Sequence, residues 1–500
     1  MRRLFMILIL ILLPLQVAAG RAPNLILSGR MVGGDHQTYR EIPFRVPPGV
    51  DQITLEFTYS GHDQKSTIDL GVRDPHRFRG WSGGNKDRVV IGEAWASASY
   101  LAGPLLFGQW FLVLGIPNIR SGAVADYAAK IWFDRADDRD DGFQQGVLKP
   151  ELAWYRGDLH MHTAHSDGSC PSRQGARKPC PVYKTLEAAR SKGLDFIAVT
   201  DHNTTSQNAE IARLAPSFDD LLLIPGRELT TFQGHANLFG PVGELDFRVS
   251  GPRRRTINDL LRQVRSSRGI ISINHPALPS GETCMGCGWT AKSADYSLIQ
   301  AVEVVNGGTL AFPGAPQNAF SGLPFWEARL DAGHRITGIG GSDNHDATLA
   351  PDKPSAIGLP TTVVHAQGLS QSAIMSAIAK GHVFVDVWGT RERLLEVTAR
   401  TAQAQAEMGD ILYARDGEGI DVSVRVQGAP AGSRVALVGF VHPIGDFDAS
   451  LAGTGELKVF KLTADGRAHW FRVDVRDSQD RLILIGNPIY LRPSPQTRLN

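Results

Sequence analysis

His160 and His162 stand two residues apart in YRGDLHMHTAHSDG (155–168), and Asp167 follows in a Ser-Asp-Gly turn. If residues 157–163 form a strand, this spacing places both imidazoles on one face. Two nitrogen donors and a nearby carboxylate are half of a divalent-metal site. A surface strand with incidental histidines has the same local pattern, so the reading depends on further ligands. The chain supplies His202 after Asp201, Glu228 in PGRELT, His235 in GHANLFG, His275 after Asn274, and Asp343 and His345 in GSDNH.

The segments around these residues alternate between strand and helix patterns. Strand-like runs at 194–200, 221–224, 235–239, 269–274, 300–305, 335–340, 361–365 and 383–387 are interleaved with helical spacing at 183–192, 256–268, 325–332 and 371–380. Alternation of this kind predicts parallel strands with covering helices. About seven units in some 235 residues fit an α/β fold, a closed or distorted barrel. His160, His162, His202, Glu228, His275, Asp343 and His345 fall at or just after the C-terminal ends of predicted strands, where barrel active sites assemble. Asp167 lies in the first loop, and His235 opens a strand. His165, His334 and His382 are off the pattern, and His365 ends a late strand with no motif around it. Such a ligand set serves two or three divalent ions, whereas structural sites are closed and usually four-ligand, so a catalytic centre is expected.

A chain of 500 residues is too long for one core. Met1–Gly20 has the charged start, apolar run and small-residue cleavage site of a signal peptide, and its apolar run is shorter than the ~20 residues a bilayer span needs. The mature protein is expected to be exported, periplasmic or secreted, with no membrane span. Residues 21–150 show short alternating runs broken by Gly and Pro, the pattern of a β-sandwich-like domain. The barrel is expected over 151–390, and 391–500 reads as a second β-sandwich-like domain. Trp81, Trp95 and Trp110 could bind sugar or simply pack a core, and either β domain could bind a ligand that the sequence does not identify. The acidic stretch 134–142 lacks EF-hand spacing and reads as a solvated linker.

The net charge of +1 gives no hint of a nucleic-acid partner. Four cysteines in an oxidising compartment pair most simply as Cys170–Cys180 and Cys284–Cys287; a four-cysteine zinc site lacks the paired spacing.

HMH…SDG, TDH at 200–202, PGRELT, GHANLFG, NHP at 274–276 and GSDNH resemble the ordered motifs of the PHP (polymerase and histidinol phosphatase) superfamily over roughly residues 155–390. With AVEVVNG (301–307), IGLPTTVV and the expected export, the likeness is greatest to CehA/McbA-type metallohydrolases. The resemblance implies a distorted (β/α)7 barrel with a multinuclear centre of manganese, iron or zinc held by His160, His162, Asp167, His202, Glu228, His235, His275, Asp343 and His345. His235 could instead be an acid or an orienting group. Asp201 and Asn274, each beside a ligand, would orient imidazoles.

A divalent cluster lowers the pKa of bound water towards ~7 and so provides a hydroxide nucleophile without a side-chain base. Three dications against three carboxylates leave a charge of about +3, which favours an anionic substrate whose oxygens metals can clamp. A phosphoesterase acting on a small anionic phosphate ester is therefore the first expectation; the sequence does not identify a side-chain acid. Hydrolysis of a carbamate, ester or amide is the alternative, using the same nucleophile on a carbonyl. Arg156, Arg227 and Lys292 could bind a phosphate oxygen or be ordinary surface cations. An exported binding protein with an inert barrel would be expected to have lost ligands, and this chain retains the set.

Overall fold

A computed structural model describes residues 21–135, 141–240, 243, 245–249, 255–282, 284, 286–439, 448–451 and 455–495. The signal-peptide pattern at 1–20 and residues 136–140 of the acidic stretch lie outside the described residues. The chain divides into two compact units, residues 1–140 and 141–500.

In the first unit, two four-stranded antiparallel sheets enclose one core. One sheet has the order Leu25–Val32, Val124–Asp134, Gln52–Tyr59, Arg88–Gly92; the other has Thr38–Val46, Gly108–Asn118, Thr67–Arg73, Phe78–Gly83. Along Val124–Asp134, buried Ala125, Tyr127, Ala129 and Ile131 alternate with outward residues, as the period of two requires. Trp110 is fully buried in this core and donates from Nε1 to the Leu106 carbonyl at 2.8 Å. Core packing accounts for it without a sugar. Asp134 accepts from Thr54 and Arg21, which assigns it a local structural role.

The second unit is built on a long mixed sheet. Its strands include β1 (Lys149–Asp158), β2 (Phe196–Val199), β3 (Leu222–Thr231), β4 (Gly234–Phe239), β5 (Ile270–Ile273), β6 (Ala301–Asn306), β7 (Thr337–Gly341), β8 (Thr361–Leu369) and β9 (Val383–Asp386). The order is β7-β6-β5-β4-β3-β2-β1-β8-β9, and the sheet continues through Leu482–Gly486, His469–Arg476, Arg434–Val438 and Asp448–Ser450. A separate four-stranded sheet is formed by Gln405–Glu407, Leu394–Arg400, Gly419–Gln427 and Glu456–Thr463.

The expected (β/α)7 barrel is not found. The chain is mostly strand, with five short α-helices among the described residues: α1 (Val182–Lys192), α2 (Gln207–Leu214), α3 (Ile257–Ser266), α4 (Leu323–Asp331) and α5 (Gln371–Lys380). The β1–β2, β2–β3, β5–β6 and β6–β7 pairs are parallel, but β3–β4, β4–β5, β1–β8 and β8–β9 are antiparallel. The cause is local. A two-residue turn joins β3 to β4, too short for a helical crossover, and β9 pairs onward with Leu482–Gly486 instead of ending a cycle. Helix α2, between His202 and Glu228, had no counterpart in the strand and helix patterns.

The helices that do form carry their own stop and start signals. Thr256 accepts from the Asp259 amide while Asp259 returns to the Thr256 amide, a reciprocal cap on α3. Gly193 and Gly381, both left-handed, end α1 and α5. Their inward faces bury Leu186, Leu260, Leu261 and Ile374. Each such side chain contributes roughly 1.5–3 kcal/mol on leaving water. No described helix is long and apolar enough to cross a membrane.

Candidate metal centre

Strands β1, β2, β3, β5, β6 and β7 run in one direction, so their C-terminal ends share one edge of the sheet. His160 and His162 follow β1, His202 follows β2, His275 follows β5, and Asp343 and His345 follow β7. Glu228 lies within β3. His235 lies near the start of β4, and because β4 is antiparallel its start meets the same edge. The register pairs Glu228 with Asn237 and Thr230 with His235, which sets all four side chains on one face.

All nine residues converge. Ligand atoms within 4.8 Å of one another fall into overlapping groups that could hold metal ions: His162, Asp167, His202 and His345; His160, His275 and Asp343; His160, His162 and Glu228. His235 and His275 also lie together beside the sulfur of Cys287, which is bonded to Cys284 and so offers no thiolate. Glu228 is shared widely, with oxygens 3.5 Å from His160 Nε2, 3.4 Å from His162 Nε2, 2.8 Å from His202 Nδ1, 3.2 Å from His235 Nδ1 and 3.6 Å from His275 Nε2. Asp343 Oδ1 stands 3.3 Å from His160 Nε2 and 3.2 Å from His162 Nε2. Asp167 Oδ1 is 3.3 Å from His345 Nε2 and 3.7 Å from His202 Nε2.

These residues fit a divalent ion. His160 Nε2, His162 Nδ1, Glu228 Oε2 and His275 Nδ1 are buried and make no hydrogen bond, a costly arrangement for polar atoms with no other partner. Metal–ligand bonds of 2.0–2.2 Å place tetrahedral ligand atoms about 3.3–3.6 Å apart. The nitrogen–oxygen separations around Glu228 and Asp343 lie close to that spacing.

Electrostatics agree with geometry. Burial opposes protonation of His160, but Glu303, Asp343 and Glu228 outweigh it and hold its pKa well above the usual imidazole range. Burial likewise works against the charge on His345, and its bond to Asp167 with the Asp343 charge carries it up to about 9. His202 and His275 are raised against burial, chiefly by the Glu228 carboxylate beside them. His162 is lowered, with burial dominant. Glu228 and Asp343 resist the effect of burial and stay ionised far below the carboxylate range, with His160 the leading cause. A field that draws protons onto imidazoles also favours a cation.

The supporting residues differ from those expected. Asp201 holds no imidazole; its carboxylate accepts from the Thr163 amide (2.8 Å), Thr163 Oγ1 (2.7 Å) and Ser166 Oγ (2.6 Å), fixing the loop that carries Asp167. Asn274 donates to Glu228 Oε1 at 2.8 Å and to Asn237 at 3.0 Å, so it orients the shared carboxylate. Imidazole orientation comes from two residues not singled out in the sequence. Thr230 Oγ1 is 2.7 Å from His202 Nδ1, and Glu303 Oε1 is 2.6 Å from His160 Nδ1. Glu303 Oε2 also accepts from the His275 amide and from Asn306, which in turn reaches Asp343. A signal was available: Glu303 is the lone charge in the apolar strand AVEVVN, and a buried strand retains a carboxylate only where something pairs with it.

Two candidate ligands hold strained backbone, His275 at φ +26° and Asp343 at φ +53°, conformations that persist when surrounding structure imposes them and that cluster at functional sites. A Cβ on Gly341 would collide with the Glu303 carboxylate and with His160, so only glycine fits there. Exposure grades outward from His160, His162 and Glu228, all fully buried, to His345 and Asp167, with side chains 39% and 58% exposed. Two of the three cations considered for a phosphate are engaged elsewhere: Arg156 bonds Asp386 and the Thr390 and Arg393 carbonyls, and Arg227 bonds the Gly243 carbonyl; Lys292 is exposed. Disulfides join Cys170 to Cys180 and Cys284 to Cys287.

No protein-family profile matches the chain. An uncharacterised protein of Methanocaldococcus jannaschii is 26% identical over 152 residues, 30% of this chain and 81% of that protein. The similarity extends to no named activity.

Proposed function

We propose that the chain is an exported metal-dependent hydrolase of the PHP type, most similar to the CehA/McbA-type enzymes, acting on an anionic phosphate ester. The observation that carries this reading is the Glu228 carboxylate shared among five imidazoles, with Asp343 shared beside it. A carboxylate so placed suits a centre of two or three ions better than a single closed site. His160, His162, His275, His235, Glu228 and Asp343 would hold the inner ions, and Asp167, His202 and His345 the outer one. Manganese, iron or zinc, when bound, would acidify water and polarise the scissile bond.

The protein's own contribution is positioning. Glu303 and Thr230 fix two imidazoles, Asn274 fixes the shared carboxylate, and Asp201 fixes the outer loop. The graded exposure leaves the Asp167–His345 side of the cluster accessible to a substrate. The two disulfides and the leader pattern support export.

Carbonyl hydrolysis is the second reading, favoured by a specific observation: Arg156 and Arg227 are committed to partners elsewhere and supply no anion clamp. A side-by-side assay of the manganese-loaded full chain on phosphomonoesters, phosphodiesters, aryl esters and carbamates, each with a chelator control, separates the two. Chelator-sensitive phosphate release supports the first reading, and turnover of carbonyl substrates alone replaces it with the second. No chelator-sensitive turnover of either class defeats both.

A further inference from the structure

A second group of histidines and carboxylates lies in residues 141–500 and shares no residue with the first. His365 is in β8, His382 follows the Gly381 that ends α5, Glu407 ends the strand Gln405–Glu407, and Asp410 is in the turn before Ile411. Ligand atoms of His382, Glu407 and Asp410 all lie within 4.8 Å of one another. His382 Nδ1 is 3.6 Å from Glu407 Oε1, and His382 Nε2 is 3.1 Å from Asp410 Oδ1. His365 Nδ1 stands 3.1 Å from the other Glu407 oxygen.

We propose that His382, Glu407 and Asp410 form a separate zinc-type divalent-cation site, with His365 orienting the Glu407 carboxylate. Three arguments carry this. One ligand atom from each of the three residues lies within 4.8 Å of the other two, so a single ion can meet one imidazole nitrogen and two carboxylate oxygens. Two carboxylates carry the charge that one dication cancels, and a mixed nitrogen–oxygen set suits zinc, cobalt or manganese better than calcium.

The frame is also fixed before any ion binds. The His365 amide donates to the His382 carbonyl at 2.9 Å, the Glu407 amide donates to Asp410 Oδ2 at 3.1 Å, and the Asp410 amide donates to the Glu407 carbonyl at 3.0 Å. The Trp154 ring stacks on the His365 imidazole with centroids 4.7 Å apart and planes 19° from parallel. That is the arrangement of a ligand set with an orienting partner behind it. The Asp410 carboxylate stays ionised despite its burial because of its bond to His382, and Glu407 is held low chiefly by His365.

An ion can reach the group from solvent, since the side chains of His382, Glu407 and Asp410 are 17%, 35% and 42% exposed. A cleft of about 390 Å³ lined by Trp154, His365, Glu396, Glu407 and Arg425 adjoins it. The site would tie β8 and the start of β9 to the strand and turn at 405–410, acting as a brace.

The test counts zinc on the full chain by equilibrium dialysis and compares it with the full chain carrying Glu407→Gln and Asp410→Asn, which leaves the first cluster intact. The variant is expected to bind one ion fewer per chain and to gain less in Tm on adding zinc. An unchanged zinc count overturns the proposal. A zinc-edge anomalous map of wild-type crystals answers the same question without any variant. A peak among His382, Glu407 and Asp410 supports the site, and a map with none there overturns it. Neither readout depends on hydrolysis.

Discussion

Two buried polar clusters in the second unit make a useful pair. Around Arg472, the guanidinium bonds both Asp474 oxygens at 2.9 and 3.1 Å and Glu327 at 2.7 Å, and lies 5.2 Å from the Trp326 ring and 5.8 Å from that of Trp470. The guanidinium there is held between two carboxylates, and of its nitrogens only Nη1 makes no hydrogen bond. Around Glu228, burial is equally deep, yet imidazole nitrogens and carboxylate oxygens face one another across 3.2–3.6 Å, and several make no hydrogen bond. Burial of polar groups is common to both. Incomplete pairing is concentrated in the second, and that is where a ligand is implied.

The comparison can be broken in four ways. Asp343→Asn keeps the side-chain shape, and asparagine tolerates the left-handed backbone at this position. It is expected to lower bound metal and activity by more than ~100-fold while the metal-free fold is retained, read by elemental analysis and circular dichroism. Unchanged metal content would remove Asp343 from the ligand set. Arg472→Met should act in the opposite sense. It leaves the Asp474 carboxylate buried and unpaired, at a cost of about 3–5 kcal/mol in urea unfolding, with activity per folded chain preserved. Glu303→Gln is expected to fall between these, lowering metal affinity by roughly 10–100-fold, because an amide can still accept from the His275 amide but no longer holds a negative charge against His160.

The smallest effect is a pH dependence. In the metal-free protein His345 has a folded pKa raised from 6.5 to about 9. Its stabilisation is complete below 6.5 and is lost as pH rises through 9. Metal binding must displace such protons, so metal affinity should rise over the same interval. Opposite slopes of Tm against pH, with and without manganese, are the expected signature. Parallel slopes would show that metal and protons do not compete at these imidazoles.

The candidate site was more legible in the sequence than the fold around it. HMH, TDH, NHP and GSDNH announce themselves because a histidine at a strand end is rare without a purpose, and these segments do lie at strand ends. The barrel expectation failed where strand direction is decided by link length. The run from Leu222 through Thr231, the turn at Phe232–Gln233 and the run from Gly234 read as strand followed by strand, but only the pairing shows them to be antiparallel. Continuation of the sheet from β9 into Leu482–Gly486 depends on contacts about a hundred residues apart, which no local pattern encodes. Glu303 and Thr230 were passed over because their importance lies in what faces them across the sheet.

The turn at Phe232–Gln233 acts as a length gauge for the whole centre. Beyond Asp167, His202, His275 and His345, the loops after β1, β2, β5 and β7 can take up added residues without moving the strands that precede those ligands. The β3–β4 link has no such freedom. One added residue that shifted the pairing would turn His235 and Asn237 to the far side of the sheet together. Chains that keep this centre should therefore vary around that link and conserve its length.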